Sequence, residues 1–282
     1  MSVPLQLYAD ESYTIDIPST SGYITIEAAT VYGAYHALET LSQLMQFNFD
    51  TETYFIPFAP WSIYDYPRFA HRSLLIDSSR HFEPVQTIKG VIDSMTYAKL
   101  NNLHWHIVDE QSFPFDSASY PLLSIKGAYS NYERFTVEDV AEVVEYARQR
   151  GVRVMVEVDT PGHAQSWCYG YPEICPSLAC PMPLNPANNV TFQVLEGLFF
   201  DLTGGERGAG LFPEVCRDVS SCYEVSIMIA ELDASRRRRG GHVVLERDTV
   251  RAGMADRQQL HHQRRVHVLC GTCAGDCTRI RP

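Results

Sequence analysis

The chain has 282 residues, of which 45% are apolar, enough for one large α/β domain or for a small domain followed by a medium one. Its formal net charge of -11 argues against nucleic acid or an anionic membrane as the main partner, because phosphate contacts require a basic surface. No apolar run approaches the roughly 20 residues that span a bilayer, and the N-terminus shows no signal peptide.

The charge is distributed unevenly along the chain. Residues 1–214 contain 26 Asp and Glu against 11 Lys and Arg, whereas residues 215–282 contain 8 against 12. This last segment has no Lys, Phe or Trp and includes the run SRRRRGGH. So few large apolar side chains poorly offset the entropy of ordering the chain. We therefore predict an atypical, Arg-rich and disordered tail over 215–282.

In chain order, the first predicted elements form a small α/β domain over residues 1–56. GYITIEAAT (22–30) alternates as a strand does, and VYGAYHALETLSQLM (31–45) has the apolar spacing of a helix. The predicted buried stripe of that helix is Val31, Ala34, Tyr35, Leu38, Leu41 and Leu44 or Met45. The segment 57–69 has three prolines and is interpreted as a linker.

A strand and helix rhythm begins near residue 72. Strands are predicted at 73–79, 103–109 and 152–159. Helices are predicted from Val85 to about residue 98, from Thr136 to Gly151 and over 192–202. Thr136 and Asp139 have the spacing of a capping box. This alternation indicates parallel strands, hence a (β/α) barrel or a doubly wound sheet.

Each of the three predicted strands has an aspartate at or near its carboxyl end, namely Asp77, Asp109 and Asp159. In the third strand the valines point one way, while Glu157 and Asp159 point the other. Because parallel α/β folds carry their chemistry at the carboxyl ends of the strands, these acids are the candidate site residues. The alternative is that they cap loops or pair with nearby arginines.

Other function classes find little support. The motifs Gly-x-Ser-x-Gly and His-Glu-x-x-His are absent, and GERGAG (205–210) follows a helix rather than a strand. His104 and His106 in HWH have the spacing of a metal-binding pair on a barrel strand. However, the predicted strand continues beyond His106. In a strand, His104 and His106 would also face the side opposite to Asp109. Core or supporting histidines are therefore favoured, with no metal and no cofactor.

Cysteines give a hint about the compartment. Cys168, Cys175 and Cys180 cluster in a Pro-rich loop that would suit a disulfide in an oxidising environment, and a glycosylation sequon begins at Asn189. An ordinary thiol and a chance sequon remain alternatives.

Four long motifs identify a family: TVYGAYHALETLSQL, HRSLLIDSSRHF, MTYAKLNNLHWHIVDEQSFP and FTVEDVAEVVEYARQRGVRVMVEVDTPGHAQSW. Over residues 5–214 the chain resembles plant-type β-N-acetylhexosaminidases of glycoside hydrolase family 20. The resemblance implies a partial TIM (β/α)8 barrel, with its first three βα units in 57–214, preceded by the small α/β domain. It also implies a glycan partner with a terminal N-acetylhexosamine, a vacuolar, lysosomal or secreted location, and frequent dimers.

The resemblance also assigns residues. Arg72 matches the arginine that holds hydroxyls of the terminal sugar. Asp109, His163 and Asp159 match the group that orients and tunes the catalytic acid, and Glu157 is expected to support them. Asp109 and Glu110 are therefore not themselves the catalytic pair.

The family's catalytic pair is missing from this chain. Its substrate-assisted mechanism needs a general-acid Glu beside an Asp that orients the acetamide, carried as His-x-Gly-Gly-Asp-Glu. No Gly-Gly-Asp-Glu occurs here, and LFPE (211–214) is followed by VCRDVSSCYEV. One hypothesis is an altered reading frame beyond Glu214. The chain alone is therefore predicted to be inactive, and the alternatives are a glycan-binding pseudoenzyme, a non-functional fragment and an interaction role for the Arg-rich tail.

Overall fold

The computed structural model describes residues 5, 7–19, 22–177 and 179–203, and a two-residue strand at 226–227. Apart from that strand, the predicted disordered tail lies outside the described residues. The chain divides into two compact units. Unit 1 comprises Met1–Leu75, Val85–His104 and Glu142–Val154, and unit 2 comprises Ile76–Pro84, Trp105–Ala141 and Met155–Pro282.

Unit 1 contains a three-stranded antiparallel sheet. The central strand β1 (Tyr13–Ile17) pairs with β2 (Thr25–Ala28) on one side and with β5 (Trp61–Asp65) on the other. Alternate residues of β1 are buried, so that Tyr13, Ile15 and Ile17 form the centre of the core. The interpretation of 57–69 as a linker is wrong, because Trp61–Asp65 supplies a strand of this sheet.

Helix α1 (Val31–Leu44) packs on that core through a face that agrees only in part with the predicted one. Thr30 caps it by accepting a hydrogen bond from the backbone of Gly33. Leu41 and Leu44 pack on the core cluster as predicted, whereas the buried Gly33 and Ala37 were not part of the predicted stripe. Tyr35 and Leu38, predicted to be buried, are 39% and 54% exposed.

The rest of unit 1 follows the predicted pattern more closely. A hairpin joins β3 (Gln46–Asn48) to β4 (Thr53–Phe55). Helix α2 (Val85–Tyr97) lies within the predicted bounds and buries Ile88, Ile92 and Met95.

A four-stranded sheet has the order β6 (Ser73–Asp77), β7 (Asn102–Val108), β8 (Arg153–Val158) and β9 (Ser226–Ile227). The predicted bounds of the first three strands agree with these within two residues. The last two strands are parallel, and backbone bonds join the start of β7 to Arg72 and the end of β6 to His106. Almost every residue of β7 is buried, as in the centre of a parallel sheet.

Strand β6 lies at an edge of this sheet. Its Leu74 and Leu75 are 40% and 52% exposed in the part of the chain that the structure describes.

Unit 2 carries the carboxyl ends of these strands and the segments that follow them. Its helices are α3 (Leu122–Gly127), the start of α4 (Val137–Arg148), α5 (Gln165–Gly170) and α6 (Asn189–Thr203), with a 3-10 turn at Pro172–Ile174. The predicted capping box of α4 is present, since the backbone N–H groups of Thr136 and Asp139 each donate to the other's side chain. The sequence did not indicate α3 and α5, which have only 6 residues each.

The core of unit 2 is aromatic. Phe113 stands edge-on to Trp167 with ring centroids 5.1 Å apart, and Trp105 does the same to Phe135 at 5.1 Å. Next to Trp167, a disulfide joins Cys168 to Cys175, as the cysteine cluster suggested. Among the described residues, no helix has the length and apolar character needed to cross a membrane.

Candidate active site

The candidate site lies in unit 2, where β6, β7 and β8 end. Asp77 ends β6, Asp109 follows β7, and Glu157 and Asp159 lie at the end of β8. Glu157 is partly buried and alternates along β8 with the fully buried Val156 and Val158, as predicted. We call the group Asp77, Arg80, His106, Asp109, Glu157, Asp159 and His163 the strand-end cluster.

Asp109 is the centre of this cluster. Its side chain is completely buried. One carboxylate oxygen accepts from His106 Nε2 at 2.5 Å and from Arg80 Nη2 at 2.8 Å. The other accepts from the backbone of Glu110 at 2.6 Å and from His163 Nδ1 at 3.1 Å. Burial alone would raise the pKa of Asp109, but these donors outweigh it and lower the pKa to about 2.

The loop after β7 holds the backbone of Asp109 in place. Its N–H donates to the carbonyl of Ser112 at 3.1 Å, and its carbonyl accepts from Ser166 Oγ at 2.6 Å. The backbone is thus fixed on both sides, which leaves only the side-chain torsions of Asp109 to be set by its partners.

His106 connects two carboxylates. Its Nε2 faces Asp109, and its Nδ1 faces Glu157 at 2.9 Å. Burial alone would lower the pKa of His106, but the bonds to Asp109 and Glu157 outweigh it and raise the pKa to about 10. The expected opposite parity of His106 and Asp109 does not apply, because β7 ends at Val108 and the chain has turned by Asp109.

Arg80 is the cationic residue of the cluster that sequence reasoning missed. Its Nη1 donates to Asp77 at 2.7 Å and its Nη2 to Asp109, and its side chain is 41% exposed. The hydrogen bond to Asp77 raises the pKa of Arg80 further. The available signal was its position, three residues after an aspartate that ends a strand.

Arg72 belongs to unit 1 and has its own set of hydrogen-bond partners. Its guanidinium donates twice to the carboxylate of Glu11, at 2.8 and 3.0 Å, and also to the backbone carbonyls of Phe69 and Lys99. Its remaining N–H faces His36 at 3.4 Å. Glu11, Phe69 and Lys99 engage four of the five N–H groups of the guanidinium, and the predicted binding of sugar hydroxyls by Arg72 stays a prediction.

His163 and Asp159 complete the cluster. His163 has a left-handed backbone, with φ of 53°, which is uncommon for a residue with a side chain. Its side chain is 50% exposed, so one face is open while Nδ1 contacts Asp109. Burial raises the pKa of Asp159, and neighbouring Glu157 adds to that effect while His163 opposes it.

The cluster contains side chains of metal-binding type, with ligand atoms of His106, Asp109 and Asp159 within 4.8 Å of one another. A metal would need a lone pair on His106, yet both ring nitrogens face carboxylates and Asp109 already has four donors. We therefore assign no metal to these residues. What the cluster offers is a partly exposed guanidinium and imidazole above buried carboxylates, which suits hydrogen bonding to a polyhydroxylated ligand.

Comparison with known proteins decides the family. Residues 69–204 match the catalytic domain of Glycosyl hydrolase family 20, and residues 1–44 match a domain described as beta-acetyl hexosaminidase like. The chain belongs to glycosyl hydrolase family 20. The strand-end cluster lies entirely within the matched catalytic segment, and the predicted fold class, part of a TIM barrel after a small α/β domain, is confirmed.

Individual relatives agree with this family 20 assignment. The chain is 54% identical over 206 residues to Beta-hexosaminidase 1 of Arabidopsis thaliana, covering 71% of this chain and 38% of that protein. Among solved structures, a chitobiase from Flavobacterium johnsoniae is 34% identical with a TM-score of 0.64, covering 74% of this chain and 31% of its own. An exo beta-N-acetylglucosaminidase from Vibrio harveyi, in complex with N-acetylglucosamine, is 25% identical with a TM-score of 0.63, over 76% and 36%. The family 20 chain thus spans about two fifths or less of the length of these relatives.

Proposed function

We propose that the strand-end cluster is part of a binding site for the terminal N-acetylhexosamine of a glycan, the site at which a β-N-acetylhexosaminidase acts. The observation that carries the proposal is Arg80, held by Asp77 and Asp109 at the carboxyl end of a parallel sheet with 41% of its side chain exposed. The names of the similar proteins support the choice of sugar.

Arg80, rather than Arg72, is proposed to contact the sugar hydroxyls. A guanidinium held by two carboxylates keeps its plane, the Arg80 side chain is 41% exposed, and a planar fork of this kind suits a vicinal diol. Asp77 and Asp109 also neutralise the positive charge of Arg80. An uncharged sugar can therefore bind without having to compensate that charge. Four of the five N–H groups of Arg72 already donate to Glu11, Phe69 and Lys99, so Arg72 has too few free donors to hold a diol in two places.

Asp109 and His163 are proposed to support a general acid. An ionised Asp109 accepts from His163 Nδ1, which leaves Nε2 of that ring as the atom that would bond to the acid. Asp159, whose pKa is raised, is proposed to assist from the end of β8. The proposal thus retains the supporting roles that the sequence predicted for Asp109, His163, Asp159 and Glu157.

Hydrolysis by this chain alone is not part of the proposal. The sequence contains no Gly-Gly-Asp-Glu, so the acetamide of a bound sugar would lack its orienting Asp and the leaving group its acid. We therefore propose that the chain binds the terminal sugar without turning it over, which makes it a glycan-binding, catalytically incomplete member of the family.

Two measurements on the full chain test this. Saturation-transfer NMR should show N-acetylglucosamine binding to the wild type, lost in Arg80→Ala and retained in Arg148→Ala, a control that removes an arginine paired with Glu145 on exposed helix surface. An aryl N-acetylglucosaminide should release no aryl alcohol above the buffer rate. Absence of binding to the wild type, or equal binding by Arg80→Ala, would refute the sugar site, and turnover that is lost on Asp109→Ala would refute the incomplete mechanism.

The Cys168–Cys175 disulfide supports a proposed location in an oxidising compartment, either vacuolar, lysosomal or secreted. Free-thiol labelling of the chain recovered from cells would test it, because quantitative labelling of both cysteines would contradict the proposal. Dimer formation stays a prediction.

A further inference from the structure

In unit 2, the buried ring of His106 lies between two carboxylates. The side chain is 7% exposed, with Nε2 2.5 Å from Asp109 and Nδ1 2.9 Å from Glu157. An ionised carboxylate only accepts hydrogen bonds, and a neutral imidazole has a single N–H to donate. Both contacts are hydrogen bonds to ionised carboxylates only if the ring is an imidazolium.

The two carboxylates belong to different strands of the sheet. Glu157 is on β8, while Asp109 follows β7, on which His106 itself lies. The imidazolium therefore ties the end of β8 to the residue that receives Arg80 and His163. Without it, one oxygen of Asp109 would keep only Arg80, and Glu157 would lose its contact with the ring.

We propose that His106 is a positioning residue, a buried imidazolium that is braced by Glu157 and holds the Asp109 carboxylate in the orientation that receives Arg80 and His163. The inference depends on the proposed sugar site for its use, since His106 would act on a bound sugar only through Asp109. The pKa of His106, raised to about 10, agrees with this geometry.

One other protonation pattern is compatible with the same heavy-atom positions. Glu157 could carry the proton and donate it to a neutral His106, which would make the contact an ordinary neutral hydrogen bond. The two patterns differ in the state of the ring nitrogens, so they can be distinguished without a ligand.

The first test is the ring-nitrogen spectrum of the full chain, labelled with ¹⁵N-histidine, at about pH 8. The proposal expects both ring nitrogens of His106 to give N–H-type shifts, at a pH where an ordinary histidine with a pKa near 6.5 is neutral. One N–H-type and one lone-pair-type nitrogen would overturn the proposal.

The second test removes one brace. Glu157→Gln should lower the pH at which His106 loses its proton by about one unit or more, because a charge in contact with the ring is lost. The control Glu138→Gln makes the same substitution at an exposed position in the first turn of α4 and should leave that titration unchanged. Equal titration of His106 in Glu157→Gln and the wild type would refute the bracing role.

The third test asks whether His106 acts through Asp109 on the sugar. His106→Gln should weaken N-acetylglucosamine binding by about tenfold or more, while His104→Gln, on the same strand, should not. Unchanged binding in His106→Gln would overturn the positioning role. If the wild type does not bind the sugar, the proposed function fails, whereas the spectrum and the Glu157→Gln titration still decide the state of His106.

Discussion

Asp109→Asn is the substitution whose cost follows most directly from the structure. The variant keeps the size of the side chain but removes its charge and replaces one acceptor oxygen by an NH₂ donor. That oxygen position is surrounded by donors, namely His106 and Arg80 on one side or His163 and a backbone N–H on the other. Whichever way the amide turns, donors will face donors in a buried place.

The magnitude can be bounded in two ways. Removing one partner of a buried ion pair typically costs about 3–5 kcal/mol of stability. The lowering of the Asp109 pKa from 3.8 to about 2 gives an order of magnitude of about 2–3 kcal/mol. We therefore expect Asp109→Asn to lower the free energy of unfolding by about 3 kcal/mol near pH 7. Because the folded-state pKa is lowered, this contribution is present above the unfolded pKa and is lost as the pH falls through 3.8 toward 2.

Urea denaturation followed by tryptophan fluorescence is a suitable assay, since Trp105 and Trp167 are both fully buried in the same unit as Asp109. The control is Asp93→Asn, which breaks a carboxylate–Arg150 contact of a side chain that is 44% exposed and should cost about 1 kcal/mol or less. The reasoning fails if Asp109→Asn costs no more than Asp93→Asn at pH 7.

Three further outcomes are expected in the same assay. Because the pKa of His106 is raised, the stabilisation from its charged form is complete below pH 6.5 and is lost as the pH rises through about 10. The urea midpoint of the wild type should therefore fall toward that of His106→Gln over this range. A difference between the two midpoints that stays constant with pH would contradict this. Replacing both Cys168 and Cys175 by Ser should cost about 2–3 kcal/mol, as expected for opening a loop with a sequence separation of 7, and an unchanged midpoint would argue against the bridge. Gly151→Ala should cost about 1–2 kcal/mol, because its φ is +70° and a new Cβ would lie 3.2 Å from a tyrosine ring carbon, whereas Gly90→Ala, with nothing within 4 Å, should not destabilise.

In helix α1, the spacing of apolar residues predicted the helix but not which of its faces is buried. Its existence and its end at Leu44 followed from the spacing of apolar residues, yet Tyr35 and Leu38 are exposed while Gly33 and Ala37 are buried. Both faces of this helix carry apolar side chains, so the pattern alone did not distinguish them. Small residues lie against the sheet because they allow the helix to approach it closely, and that preference depends on the partner rather than on the helix.

The arginines show the same limit for the site. The resemblance pointed to Arg72, which has the right chemistry, but the donors of a guanidinium are free for a ligand only if the fold does not use them. Glu11, 61 residues away in the chain, takes two of those donors. Arg80 belongs to the strand-end cluster because Asp77 and Asp109 hold its guanidinium at the carboxyl ends of the strands.

The sequence by itself determined the strand and helix rhythm, the family, the aspartates at three strand ends and the absence of a Gly-Gly-Asp-Glu pair, because each of these is a local pattern or a motif. Only the tertiary structure decided which cysteines pair, which arginine joins the strand-end cluster and how His106 lies between Asp109 and Glu157. These are contacts between segments far apart in the chain, and their energies depend on burial and on the direction of donors, which no local pattern records.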